Sequence, residues 1–124
     1  MANGNEYRII QGSLQDRFMK LRTKIQFYGG GFGNGNTYYI GVTNRYPDKF
    51  TKIVYSSGTQ LQAGDIISLE GSQKQYGHAA IVKSVSGNNI TILEQWAGSI
   101  YVIQDTFTLT TSGKRRIIGI ARPK

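Results

Sequence analysis

The sequence of 124 residues is defined first by what it lacks: it has no cysteine, only two prolines and only seven acidic residues. Without cysteine the chain cannot form disulfides, thiolate metal sites or a cysteine nucleophile. No apolar run is long enough to span a membrane. The first residues have neither a basic flank nor an apolar stretch, so the sequence predicts no signal peptide and a soluble chain.

Positive charge dominates the composition, with 15 Lys and Arg and a net charge of +8. Such a surface suggests an anionic partner: a nucleic acid, a nucleotide, teichoic acid or an acidic membrane surface. It is equally consistent with a role in solubility alone. The basic residues are spread along the chain. One set is Arg17, Lys20, Arg22 and Lys24, and another is Lys114, Arg115 and Arg116, with Arg122 and Lys124 near the end.

The spacing of apolar residues predicts one helix, over residues 13–28, with Ser13 as its N-cap. Residues 29–50, which begin with a glycine-rich run, are predicted to be irregular. That run is not a phosphate-binding loop, because a helix precedes it where a strand would be required.

From residue 52 onward the pattern is one of short strands, and Gly87-Asn88-Asn89 is typical of a hairpin turn. One helix on an antiparallel sheet of about six short strands gives an α+β fold in a single domain, residues 1–124. The predicted strands are Ile53–Tyr55, Asp65–Leu69, His78–Val85, Ile90–Gln95, Ile100–Ile103, Phe107–Leu109 and Ile117–Ala121.

Three short motifs occur in a characteristic order: Gly64-Asp65-Ile66-Ile67, then Tyr76-Gly77-His78, then Glu94-Gln95. They resemble the CHAP domain, a papain-like peptidoglycan amidase or endopeptidase fold, and the resemblance extends over about residues 11–123. It implies that His78 corresponds to the general base and Glu94 to the residue that orients it. A hairpin turn at Gly87 would place these two positions near each other. This agrees with the chemistry, because a histidine base must be held by a polar partner at its second ring nitrogen. The resemblance further implies a phage-related source and peptidoglycan or teichoic acid as ligand.

Two positions depart from the family pattern. Gly12 stands where the family has its nucleophilic cysteine, and Trp96 stands where it has an asparagine. We therefore expect a pseudoenzyme without catalytic residues or cofactors, in which Gly12, Tyr76, His78, Glu94 and Trp96 line a ligand pocket, with Tyr38 as a further candidate. Metal-binding family members use an Asp-rich loop before the cysteine. Only Glu6 is acidic before Asp16, so no metal is expected.

Two alternatives remain open. The fold could have been repurposed as a basic protein that captures a nucleotide, a nucleic acid or a host protein. If the alignment slips by one residue, Ser13 could instead serve as the nucleophile of a residual hydrolase with His78 and Glu94. A helix cap is the more common role of a serine at this position.

Overall fold

The computed structural model describes residues 34–94 and 102–124. Within these ranges one short helix and six antiparallel strands form the α+β fold expected from the sequence, and no helix is long and apolar enough to cross a membrane. The predicted helix over residues 13–28 lies outside the described residues. In chain order the elements are a 3-10 turn at Gly35–Thr37, α1 at Tyr38–Arg45, β1 at Phe50–Val54, β2 at Ile66–Leu69, β3 at His78–Ser86, β4 at Asn89–Glu94, β5 at Ile103–Thr108 and β6 at Ile117–Pro123.

The strands form one sheet in the order β1-β6-β2-β3-β4-β5, so β1 and β5 are its edges. Successive residues of a strand point to opposite faces, and all four residues of β2 are buried. Two apolar clusters cover the two faces. The helix-side core contains Tyr38, Tyr39, Val42, Phe50, Ile66, Ile81 and Ala121. The far-side core contains Leu61, Ile67, Leu69, Ala80, Val82, Ile90, Ile92, Ile117 and Ile120.

The helix α1 lies inside the stretch 29–50, which the sequence analysis predicted to be irregular, so that prediction was wrong for these residues. Gly41 and the β-branched Val42 and Thr43 weaken helix propensity. Packing compensates, because Tyr38, Tyr39 and Val42 are buried in the helix-side core. The Thr43 hydroxyl donates a hydrogen bond to the carbonyl of Tyr39 (2.7 Å), which satisfies this buried polar group within the helix.

The strand pattern after residue 52 is largely confirmed. The β3–β4 hairpin turns at Gly87 and Asn88, with Ser86 paired to Asn89, as predicted. Two strands were predicted here, Ile100–Ile103 and Phe107–Leu109; residues 100 and 101 lie outside the described residues, and from residue 102 onward the structure differs from the prediction. A single strand, β5, runs over Ile103–Thr108 and pairs with β4 along its whole length. As an edge strand with one exposed face, it carries polar residues that interrupt the apolar pattern in the sequence.

Asp65, the acidic residue of the Gly-Asp motif, anchors the sheet. It is completely buried, and its carboxylate accepts hydrogen bonds from Arg122 Nε (2.8 Å), Arg122 Nη2 (2.9 Å) and the backbone N–H of Gln62 (2.9 Å). The Asp65–Arg122 ion pair connects the residue just before β2 to the C-terminal end of β6. The Gly-Asp motif is therefore an ion-pair anchor of the sheet.

The Asn-rich segment before α1 holds the loop that leads into His78. The Asn36 side chain donates to the carbonyl of Lys74 (2.9 Å), and its backbone N–H donates to the carbonyl of Tyr76 (3.0 Å). Gly77 lies under this segment with a positive φ of 67°. A Cβ at Gly77 would be 2.6 Å from Asn36 N and 2.7 Å from Leu69 O, distances at which backbone would have to move.

We predict that Gly77→Ala destabilises the fold far more than Gly87→Ala. Both glycines have positive φ, 67° and 60°, so both substitutions carry the left-handed backbone cost of about 1–2 kcal/mol. Only Gly77 adds a collision with backbone atoms, because nothing lies within 4 Å of a Cβ at Gly87. Urea unfolding of the two variants measures the difference, and equal losses of stability would contradict the docking of residues 34–36 on this loop.

Candidate functional site

His78 and Glu94 lie on neighbouring strands and contact each other. His78 begins β3 and Glu94 ends β4, and Nε2 of His78 is 2.9 Å from Oε1 of Glu94. The two side chains are 10% and 3% exposed. The register of the hairpin pairs Ile81 with Leu93, so both functional residues fall at its open end, as the turn at Gly87 predicts.

The Glu94 carboxylate has a second partner, Arg115, on the segment that leads into β6. Arg115 Nη1 donates to Oε1 (2.8 Å) and Nη2 donates to Oε2 (2.9 Å). This is the bidentate arrangement in which a guanidinium binds a carboxylate most strongly. Glu94 is thus held from one side by an imidazole and from the other by a guanidinium.

Arg115 is itself fixed by the edge strand β5. Its Nη2 also donates to Asp105 Oδ2 (2.6 Å), and its guanidinium carbon lies 5.2 Å from the centre of the Phe107 ring, within the range of a cation–π contact. Asp105 pairs with Ile92, two residues before Glu94, so both carboxylates leave the same face of the sheet. We call His78, Glu94, Arg115 and Asp105 the His–Glu–Arg–Asp network.

The network keeps Glu94 ionised. Burial raises the pKa of Glu94, but the hydrogen bonds from His78 and Arg115, together with attraction to Arg115, outweigh burial and lower the pKa from 4.5 to about 2. The hydrogen bonds to Glu94 also raise the pKa of Arg115. At neutral pH the pair is therefore a carboxylate bound to a guanidinium.

An ionised carboxylate can only accept hydrogen bonds, so Nε2 of His78 must carry the proton that it shares with Glu94. In the neutral ring this makes Nδ1 the basic nitrogen. A ring oriented in this way is suited to take a proton from a thiol or hydroxyl placed beside Nδ1. The histidine and the glutamate that orients it thus have the geometry required to activate a thiol nucleophile, whereas the sequence contains no cysteine that could provide one.

The other predicted pocket residues are distributed differently. Tyr76 is 53% exposed in the loop before β3. The ring of Tyr38 is buried in the helix-side core, so this candidate is a packing residue. Gly12, Ser13 and Trp96 lie outside the described residues.

Sequence reasoning missed Arg115 and Asp105. Arg115 was grouped with its basic neighbours as surface charge, yet its side chain is only 16% exposed. The signal that could have found it is the predicted position of Glu94 on a buried strand, because a buried carboxylate requires cationic or N–H partners.

The C-terminal arginines are all paired with carboxylates: Arg115 with Glu94, Arg116 with Glu70 and Arg122 with Asp65. The basic cluster predicted from the sequence is therefore less positive in the fold than in the sequence. Over residues 34–94 and 102–124 no group of His, Asp and Glu residues is placed to hold a metal ion.

The family model for the CHAP domain matches residues 12–96, more than half of the chain. The chain belongs to the CHAP family. Both positions that depart from the family pattern, Gly12 and Trp96, fall within the match, and so do His78 and Glu94. No curated protein matches the chain.

Two solved structures are similar to this chain. The crystal structure of Ly7917 is 27% identical to this CHAP domain, with a TM-score of 0.53 over 76% of this chain and 39% of that chain. The crystal structure of Ly7917 with the hydrolyzing product of MDP is 30% identical, with a TM-score of 0.48 over 62% of this chain and 32% of that one. The CHAP domain described here thus spans less than two fifths of the length of either structure.

The lowered pKa of Glu94 predicts an acid-sensitive component of stability in this CHAP domain. Because the folded-state pKa is about 2 and the ordinary value is 4.5, this stabilisation is complete above pH 4.5 and is lost as the pH falls towards 2. We expect Glu94→Gln to lower the free energy of unfolding at pH 7 by about 3 kcal/mol. Urea unfolding from pH 7 to pH 2 measures both quantities.

Asp48→Asn provides the matched control, since Asp48 is exposed in the turn before β1. This variant should follow the wild-type pH profile, whereas the gap between the wild type and Glu94→Gln should close at low pH. A gap that stays constant down to pH 2 would show that the carboxylate charge is not what Glu94 contributes.

The bidentate pair predicts that two adjacent arginines differ sharply in importance. Arg115→Gln removes one partner of a buried charge pair and should destabilise the domain by about 3 kcal/mol. Arg116→Gln breaks a pair in which the arginine side chain is 41% exposed, and its cost should be below about 1 kcal/mol. Thermal and urea unfolding give the stabilities. Carboxyl-carbon NMR should show the Glu94 pKa rising in Arg115→Gln alone, and a rise in both variants would contradict the network.

Proposed function

We propose that this protein is a non-catalytic CHAP domain that binds a cell-wall ligand, peptidoglycan or its fragments, beside His78 and Glu94. The observation that carries the proposal is a combination. His78 and Glu94 are buried and hydrogen-bonded to each other, and Arg115 holds the Glu94 carboxylate in place. The chain, however, contains no cysteine. Loss of the nucleophile removes orders of magnitude in rate but leaves the polar groups that contact a ligand.

The family match supports the choice of ligand. It runs from residue 12 to residue 96, and so includes His78 and Glu94 together with Gly12 and Trp96, the two positions that we interpret as departures from the family pattern. Family membership makes a peptidoglycan peptide or glycan the first candidate. Tyr76, exposed beside His78, would offer such a ligand an aromatic surface.

Charge pairing favours this ligand over the nucleotide, nucleic acid or host protein considered from composition. Nucleic-acid binding relies on cations that can contact phosphates, and the less exposed Arg115 and Arg122 already bind carboxylates. Around His78 the charges of Glu94 and Asp105 offset that of Arg115. Such a site suits a neutral polar group better than a polyanion.

The proposal predicts that hydrolysis can be restored by supplying the missing groups. We expect no release of muropeptides from purified peptidoglycan by the native protein, and measurable release by Gly12→Cys or by Gly12→Cys combined with Trp96→Asn. The reason is that His78 and Glu94 already provide the base and its orienting partner. Adding His78→Ala to each variant should abolish the gained activity.

Co-sedimentation of the native protein with the same peptidoglycan tests binding separately, with His78→Ala and Tyr76→Ala as variants expected to weaken it. Hydrolysis by the native protein that disappears in Ser13→Ala would replace the proposal with a serine hydrolase. Absence of both binding and restored activity would overturn it in favour of a repurposed fold.

A further inference from the structure

A second concave site lies on the far side of the sheet from α1. The loop after β1, the tip of the β3–β4 hairpin and the segment between β5 and β6 border an open cavity of about 450 Å³, within the range of about 300–1,000 Å³ typical of ligand pockets. His78, Glu94 and Arg115 do not line it. It is therefore distinct from the site described above.

The lining has an unusual chemistry. Buried Leu61 and Ile117 belong to both the cavity wall and the far-side core, so the floor is rigid and apolar. Hydroxyl and amide side chains make up about half of the lining: Tyr55, Ser56, Ser57, Thr59, Gln60, Asn88, Thr110 and Thr111. Side chains of this kind, combined with an aromatic ring, can both donate and accept hydrogen bonds, as a polyhydroxylated ligand requires.

The lining contains one charged residue, Arg116, and no acidic residue. Arg116 donates a hydrogen bond from Nε to Glu70 Oε1 (2.9 Å). Among the described residues its Nη1 and Nη2 groups make no hydrogen bond. Glu70 is also 3.9 Å from Lys74 Nζ, so its charge is shared between two cations. The guanidinium keeps the donors with which arginine binds carboxylates and phosphates.

Part of the rim is ordered before any ligand binds. The backbone N–H of Ser56 donates to Thr59 Oγ1 (3.1 Å), and the backbone N–H of Thr59 donates to the carbonyl of Ser56 (3.0 Å). Across the cavity, the backbone N–H of Leu109 donates to the carbonyl of Asn88 (2.7 Å). Groups that are already positioned lose less entropy when a ligand binds.

From these observations we infer that the cavity binds a polyhydroxylated ligand with one anionic group, a sugar or polyol bearing a phosphate or a carboxylate, and that Arg116 holds the anion. The hydroxyl and amide rim contacts the ligand's hydroxyl groups, and the apolar floor excludes water beneath it. This inference does not depend on the proposed function, since the two sites share no residue.

The test is an NMR titration of the full chain with glucose 6-phosphate, glucuronate and uncharged glucose. We expect saturable shifts at the amides of Ser57, Asn88 and Thr111 with the charged probes, and weaker binding of glucose. The stronger of the two charged probes identifies phosphate or carboxylate as the preferred anion. No saturable shift at these amides with any probe would overturn the inference, as would shifts confined to the surroundings of His78.

Three variants sharpen the test. Arg116→Gln should lower the affinity for the preferred charged probe by about tenfold, the effect of losing a charge-assisted hydrogen bond. The affinity for glucose should stay unchanged. Glu70→Gln should raise the affinity for the charged probe, because it removes the carboxylate that competes with the probe for Arg116. Lys114→Gln is the matched control, exposed and outside the cavity, and should bind as the wild type does. Equal effects of Arg116→Gln and Lys114→Gln would reduce the role of Arg116 to general surface charge and overturn the assignment.

Discussion

The buried carboxylate of Glu94 is the constraint around which this end of the sheet is organised. With the residue only 2% exposed, its charge would cost several kcal/mol if it were left without partners. Arg115 and His78 supply those partners, and Arg115 in turn engages Asp105 and Phe107. The start of β3, the end of β4, the edge strand β5 and the approach to β6 are joined through this one group. The hydrogen bond to Glu94 in this network orients the His78 ring.

This dependence changes what the presence of His78 and Glu94 means for function. A nucleophile at residue 12 could be lost without removing any described partner of Glu94, whereas loss of Glu94 would leave Arg115 without its bidentate acceptor. The histidine–glutamate pair can therefore outlast catalysis for reasons of stability. The network also neutralises its own charges to a large extent.

Local signals account for what could be predicted from the sequence. The turn at Gly87 and Asn88 defines the β3–β4 register near the tip of the hairpin, and an irregularity between Val82 and Ser84 then shifts the register by one residue. This shift puts Glu94 on the same face of the sheet as His78, because a one-residue change of register exchanges the two faces. The turn could be predicted from the sequence, whereas the shift could not. The helix α1 escaped prediction because Gly41 and its β-branched neighbours favour other conformations, and only packing against the sheet stabilises it. Arg115 escaped because its partner Glu94 is 21 residues away, a separation at which no local pattern operates.

Two of the three motifs that carry the family resemblance, the Gly-Asp and Gly-His motifs, have different physical roles. Asp65 closes an ion pair with Arg122 inside the sheet, so the Gly-Asp motif belongs to the scaffold, whereas the Gly-His motif presents a group that can act on a ligand. The same division applies to the arginines near the C-terminus. Arg122 and Arg115 are committed to buried carboxylates, while Arg116 is half-exposed, lines a cavity and shares its acceptor with Lys74. Ion pairing in the fold, rather than net charge, therefore decides which cations remain able to bind an anion.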